Sequence, residues 1–140
     1  MAWAIILTLE KPLPDAAASA AYAKAAGGKA LAREIDRLDS AARRKNVQPL
    51  TALLSESQAD LRTKLEADGF DPSKMRLPPE LWFDAAEGVK TVRAVAEYVS
   101  ANLNDFKQPN PILRDLKSAE ALLAAASAAG IRVHFTKKDI

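Results

Sequence analysis

The chain contains no cysteine and one histidine, His134, among its 140 residues. The missing thiols exclude disulfides, thiolate nucleophiles, zinc fingers and iron–sulfur clusters together, and they make folding independent of redox conditions. One imidazole cannot build a histidine-based metal cluster, and neither a Ser–His–Asp nor a Cys–His arrangement is expected around it. No metal and no cofactor are therefore expected. Aromatic residues make up only 6% of the chain, and no apolar run reaches the length of a membrane span. The opening Met1-Ala2-Trp3-Ala4-Ile5-Ile6-Leu7 is apolar, but it lacks a basic leading segment and meets Thr8, Glu10 and Lys11 too soon for a signal peptide. A strand in a cytoplasmic protein is the expected reading. Nor is there an excess of one charge: 20 basic side chains stand against 18 acidic ones, interspersed along the chain. A net charge of +2 without a basic face argues against nucleic acid as the partner.

What is present describes one ordinary globular domain over residues 1–140. Hydrophobic residues are 49% and charged residues 27% of the chain, far from the composition of disordered segments. From Trp3 to Glu10 the β-favouring run Ile5-Ile6-Leu7-Thr8-Leu9 predicts a strand that Pro12 and Pro14 stop. Asp15 to Ala26 is alanine-rich, with little but Tyr22 to bury, and reads as a loose helix or a loop. After Gly27-Gly28 an amphipathic helix places Leu31, Ile35, Leu38 and Ala42 on one stripe, with Arg43, Arg44 and Lys45 in its last turn and Asn46 as its stop. A short helical turn follows Pro49 through Leu50, Leu53 and Leu54.

Ser57, with Asp60 three residues on, resembles a capping arrangement for a helix that carries Leu61 and Leu65 and ends at Gly69. Phe70 to Pro79 is the longest irregular connection. A helix from Asp84 to about Leu103 presents Val89, Val92, Val95, Ala96 and Val99. Pro109-Asn110-Pro111 breaks the pattern, and a last helix runs through Leu113, Leu116, Leu122 and Leu123 to Gly130, a natural glycine terminator. Ile131, Val133 and Phe135 alternate with Arg132, His134 and Thr136, the period of a half-buried strand. The expected fold class is α+β: a mostly helical single domain of four to five helices, with N- and C-terminal strands pairing in a small sheet.

Three stretches together resemble an uncharacterised family of bacterial proteins. They are Gly28-Lys29-Ala30-Leu31-Ala32-Arg33 with Asp36 and Leu38; Pro79-Glu80-Leu81-Trp82-Phe83-Asp84 with Glu87-Gly88 and Thr91-Val92-Arg93; and Ala128-Ala129-Gly130-Ile131-Arg132-Val133-His134-Phe135. The middle string is the most specific. The resemblance implies a bacterial source and a shared fold, and it supplies no catalytic residue.

Several constellations invite a chemical reading. Gly27-Gly28-Lys29 looks like part of a phosphate loop, but Ala23 and Ala30 stand where a Walker loop needs Gly and Ser or Thr, so a helix-start loop is expected. Glu34, Asp36 and Asp39 are spaced for surface ion pairing, with Asp39 and Arg43 as an i, i+4 pair. Arg43-Arg44-Lys45 suits a helix C-terminus better than a recognition helix, because Val47, Leu50, Leu53 and Leu54 follow it. His134, on the polar face of a terminal strand, is expected to be solvated.

The strongest candidate site is the helix start at Trp82, Asp84, Glu87, Gly88 and Arg93. Asp84 is a good N-cap, Glu87 stands where it can reach back to that cap, and Gly88 marks a close approach to the backbone. Either this is a well-made helix start whose aromatics plug the core, or Trp82 and Arg93 form a patch for a partner or an anion. The function that follows is a nonenzymatic interaction or regulatory protein binding another protein or a second copy of itself. The alternative is a small-molecule or anion binder, or a small enzyme, using Asp84 to Arg93.

Overall fold

Pairing of the two chain ends organises the molecule. The computed structural model describes residues 3–25 and 28–139. Strand β1 (Trp3–Leu9) lies antiparallel to β2 (Val133–Asp139), in register from Trp3 opposite Asp139 to Leu9 opposite Val133. Between them run α1 (Ala17–Ala25), α2 (Lys29–Arg33), α3 (Ile35–Arg44), α4 (Gln58–Ala67), α5 (Ala85–Ala101) and α6 (Pro109–Ala128), with short 3-10 turns at Leu50–Leu53, Pro72–Lys74 and Leu103–Asp105. The fold is α+β and mostly helical, as expected, with six α-helices among the described residues.

Ile5 and Leu7 of β1, with Val133 and Phe135 of β2, turn one face of the sheet inward. They meet Val92, Val95 and Val99 of α5 and Ile112, Leu116, Leu123 and Ala126 of α6 in a single core. Leu31, Leu38, Leu50 and Leu53 extend it under α2, α3 and the first 3-10 turn. Burial of this many branched side chains is the main stabilising term, at roughly 25 cal/mol per Å² of apolar surface.

Two strands alone would leave unpaired backbone on both outer edges. Here the chain covers them itself. The outward N–H groups of β1 donate from Ile5 to the Gly28 carbonyl at 3.0 Å and from Leu7 to the Tyr22 hydroxyl at 2.8 Å. On the far side of β2, Phe83 and Val133 exchange backbone bonds of 2.8 and 2.9 Å, and Ser55 N–H reaches the Phe135 carbonyl at 2.9 Å. Gly28 serves the β1 edge, since its φ is 73° and a Cβ there would sit 2.4 Å from the Ile5 oxygen. It is a helix-start loop docked on a strand. Gly27, the other glycine of the pair, and Ala26 lie outside the described residues.

Local signals placed most element ends correctly. Asn46 stops α3 at φ 59°, Gly69 follows α4 at φ 87° and Gly130 follows α6 at φ 68°, all in the left-handed region. Ser57 Oγ accepts the Asp60 N–H at 3.1 Å to start α4. Residues 17–25, read as loose helix or loop, are helical, and Tyr22 is the residue that anchors them. Pro109 does not break a helix but begins α6, in the first turn where its missing N–H costs nothing.

Three readings are corrected. The helix through Leu31, Ile35, Leu38 and Ala42 is two helices, broken at Glu34 (φ −118°, ψ 26°). Glu34 and Asp39 are buried rather than surface residues. Asp39 accepts the Thr51 hydroxyl at 2.6 Å instead of pairing with Arg43, which ties α3 to the 3-10 turn at Leu50–Leu53.

Candidate functional site

The start of α5 is built as its sequence suggests, but its five candidate residues do not converge. Asp84 is extended, and its Oδ1 accepts the Ala86 N–H at 3.0 Å, filling the N-cap role. Glu87 is exposed, and among the described residues its carboxylate does not close the reciprocal bond to the Asp84 N–H. Gly88 is buried, and a Cβ on it would stand 2.7 Å from Leu123 Cδ2. The close neighbour is therefore helix α6, neither the Trp82 ring nor a vacant ligand position. Arg93 is exposed but already matched: its Nε lies 2.6 Å from Glu120 Oε1, across the α5–α6 contact.

Glu87 and Arg93 do share a feature. They line an open recess of about 810 Å³ between α5 and the C-terminal turns of α6, with Val47, Val89, Lys90 and Ala124 among the other walls. Trp82 and Asp84 are not part of it. Glu97, on the same wall, lies 3.7 Å from Lys45, so two of the four charges along this face of α5 are paired within the chain.

Trp82 belongs to a different cluster. Its ring lies over the His134 imidazole, with centroids 4.2 Å apart and planes tilted by 39°. His134 is only 1% exposed, which overturns the solvated reading. The reason is the backbone pairing at Phe83 and Ser55, which gives β2 neighbours on both sides and brings residues 80–82 across its polar face. Glu80 Oε2 meets His134 Nε2 at 3.2 Å, and His134 Nδ1 meets Thr136 Oγ1 at 3.2 Å. Thr136 Oγ1 meets Thr8 Oγ1 at 3.1 Å.

A single imidazole thus suffices for a carboxylate–imidazole–hydroxyl series, contrary to the expectation from the histidine count. It is not arranged for catalysis. The Thr136 hydroxyl at its end is buried and turned toward Thr8 and His134, whereas a nucleophile needs an open path to substrate. The series instead fastens the 80–82 segment to the sheet, and among the described residues no buried side-chain polar atom lacks a partner. Only the strand register, which sets Thr8 opposite His134, reveals that these hydroxyls meet.

The third feature was not singled out by sequence. Helix α4 contains no buried residue, although it carries Leu61 and Leu65, and it packs chiefly on the 3-10 turn that follows it. Beyond it Phe70, Met75 and Leu81 are 56%, 45% and 51% exposed. A smaller recess of about 290 Å³ opens beside Leu81, lined also by Leu54, Leu61, Pro78, Pro79 and Lys137 among others. The arm is attached by the Leu81 N–H to Ser55 Oγ bond at 2.7 Å and by the Glu56–Lys64 ion pair.

Among the described residues no group of three His, Cys, Asp or Glu side chains is placed to hold a metal ion. No helix among them is long and apolar enough to cross a membrane. No protein-family model, curated protein or solved structure matches this chain.

Proposed function

We propose that this chain is a nonenzymatic interaction module of the cytoplasm that works by binding another protein, and that the partner seats on the arm from α4 to Leu81. The observation that carries this reading is the arm itself. A ten-residue helix with no fully buried residue, its Leu61 and Leu65 only half-buried, is followed by three large, exposed apolar side chains. Large apolar side chains left exposed within one segment of about a dozen residues are candidate contacts for a partner. Asp60, Arg62, Lys64, Glu66 and Asp68 supply both signs of charge around it, the usual polar rim of a protein interface.

The alternative, a ligand site at Asp84 to Arg93, has less support. Arg93 is paired with Glu120, Trp82 covers His134, and the five residues split between two places. A second copy of the chain is the competing occupant of the arm. Edge-to-edge strand pairing offers it no free donor at Ile5, Leu7 or Val133, because each is bonded within the chain.

The test places a photo-crosslinking residue at Met75, with Arg43 as the control position, in cells that make the protein. The expected result is one heterologous product from Met75, absent from Arg43 and abolished by the double variant Phe70→Asp/Leu81→Asp, with the pure protein at 15.1 kDa in light scattering. Equal crosslinking from both positions, or a crosslinked product made only of this chain, overturns the proposal.

A further inference from the structure

Arg37, Ser40 and Arg44 stand at i, i+3 and i+7 on one stripe of α3, and Arg33 ends α2 just before them. All three guanidinium groups reach the last turns of α5 or the connection that follows it. Arg33 Nη1 donates to Gln108 Oε1 at 3.4 Å, Arg37 Nη1 to the Asp105 carbonyl at 3.2 Å and Arg44 Nη1 to the Tyr98 hydroxyl at 2.8 Å. Between them lies a recess of about 390 Å³ lined by Arg37, Ser40, Arg44, Tyr98, Asp105 and Phe106, together with Ala41. It is separate from the α5–α6 recess that holds Glu87 and Arg93, and from the arm.

The two arginines of this recess are held before any ligand arrives. Tyr98 is the strut for Arg44, since its hydroxyl accepts from the guanidinium and donates to Asp105 Oδ2 at 3.2 Å. Arg37 is held from behind by Glu34 Oε1 at 3.3 Å. Each arginine makes its hydrogen bonds through Nη1 alone, and the Arg44 guanidinium also lies 5.8 Å from the Tyr98 ring centroid, so among the described residues the Nε and Nη2 donors and the exposed Ser40 hydroxyl have no hydrogen-bond partner. Two charged forks and a hydroxyl match the oxygens of a phosphate, for which arginine is the preferred ligand. Prior anchoring lowers the entropy lost on binding.

The carboxylates narrow the ligand class. Glu34 is occupied by Arg37 and by the N–H groups of Lys107 and Gln108. Asp105 has one oxygen on Tyr98 and among the described residues no partner for the other, so it repels a second anionic group and accepts a hydroxyl. Phe106 packs edge-on to Tyr98, with centroids 6.3 Å apart, and gives the recess an aromatic wall. The volume lies at the small end of the roughly 300–1,000 Å³ range of small-molecule sites.

We propose that this recess binds a phosphomonoester of a hydroxylated small molecule, of the sugar-phosphate class. Arg37, Arg44 and Ser40 take the phosphate and Asp105 takes a hydroxyl. The site makes the module responsive to a phosphorylated metabolite, a property that goes beyond protein binding and does not depend on it.

The experiment is a titration of the full chain followed by the arginine Nε–H resonances and by melting temperature, with ribose 5-phosphate, ribose, inorganic phosphate and sulfate as probes. Ribose 5-phosphate is expected to shift the Arg37 and Arg44 signals saturably and raise the melting temperature, and ribose to do neither. Arg44→Gln is expected to weaken binding about tenfold or more, Ser40→Ala less, and Arg43→Gln, outside the recess, not at all. If Arg44→Gln fails to fold, Ser40→Ala carries the comparison. Three results overturn the site: no saturable shift, equal binding of inorganic phosphate or sulfate, or equal loss in Arg43→Gln.

Discussion

The carboxylate of Glu34 accepts the backbone N–H of Lys107 at 2.7 Å through Oε1, while its Oε2 accepts that of Gln108 at 3.1 Å. Gln108 is the N-cap residue of α6, and its own side chain makes no capping bond. Glu34 therefore caps α6 from the turn between α2 and α3. A carboxylate at a helix N-terminus also complements the helix dipole.

Glu34→Ala removes two charge-assisted bonds to backbone N–H groups together with the Arg37 ion pair, and leaves two backbone donors with reduced access to water. The expected cost is about 2–4 kcal/mol, given roughly 1.5–3 kcal/mol for hydrogen bonds to charged groups and about 1 kcal/mol for a lost cap. Glu34→Gln keeps an acceptor and loses the charge, so it should fall between wild type and Glu34→Ala in urea unfolding. Equal stability of Glu34→Ala and wild type would show that water satisfies the start of α6.

Gly88→Ala adds a methyl into the space filled by Leu123, which is fully buried. Helix propensity favours alanine by about 1 kcal/mol, but overpacking a filled core costs about 1–3 kcal/mol. A net fall in melting temperature is expected. In the double variant Gly88→Ala/Leu123→Ala the clash is gone, so the two effects should be clearly non-additive. A rise in melting temperature for Gly88→Ala alone contradicts the packing account.

Removing residues 131–140 takes away Val133 and Phe135 from the core and strips β1 of its partner. The truncated chain is expected to lose its cooperative thermal transition, followed by circular dichroism. The milder Phe135→Ala should keep the fold at a cost of about 3–5 kcal/mol. Unchanged stability of the truncated chain would mean that the helices hold the core without the sheet.

Burial pushes the Tyr22 phenol above its ordinary value near 10; the Leu7 N–H opposes the rise and the Asp115 carboxylate adds to it. A raised acid favours the neutral phenol in the folded state, so its contribution is complete below pH 10 and is lost as pH rises beyond that. Unfolding free energy should therefore fall as pH rises through and above the ordinary phenol value near 10. Tyr22→Phe strands the Leu7 N–H and lowers stability at pH 7 by about 1–3 kcal/mol. Its alkaline decline, measured by urea titration at several pH values, should be shallower than that of wild type. Parallel declines would place the titrating group elsewhere.

What the sequence by itself determined is local. The caps at Ser57 and Asp84, the terminators Asn46, Gly69 and Gly130, and the periodicities that name the strands and helices all depend on residues within one or two turns of each other. Pairing of the terminal strands was legible because one half-buried strand needs a second. The pieces of the candidate site were legible in the same way: Asp84 as a cap and Gly88 as a crowded position.

Tertiary structure alone decided the fate of the polar groups. Glu34 meets Lys107 across 73 positions, Glu80 meets His134 across 54 and Arg93 meets Glu120 across 27. A carboxylate at helical spacing looks the same in sequence whether it faces water or another helix's unpaired N–H groups. His134 was misread for that reason: a strand's polar face is solvated until another segment crosses it, and the segment that crosses it here is anchored by backbone bonds that no side-chain pattern encodes. Burial of a polar residue depends on which element arrives opposite it, and that is a property of the assembled chain.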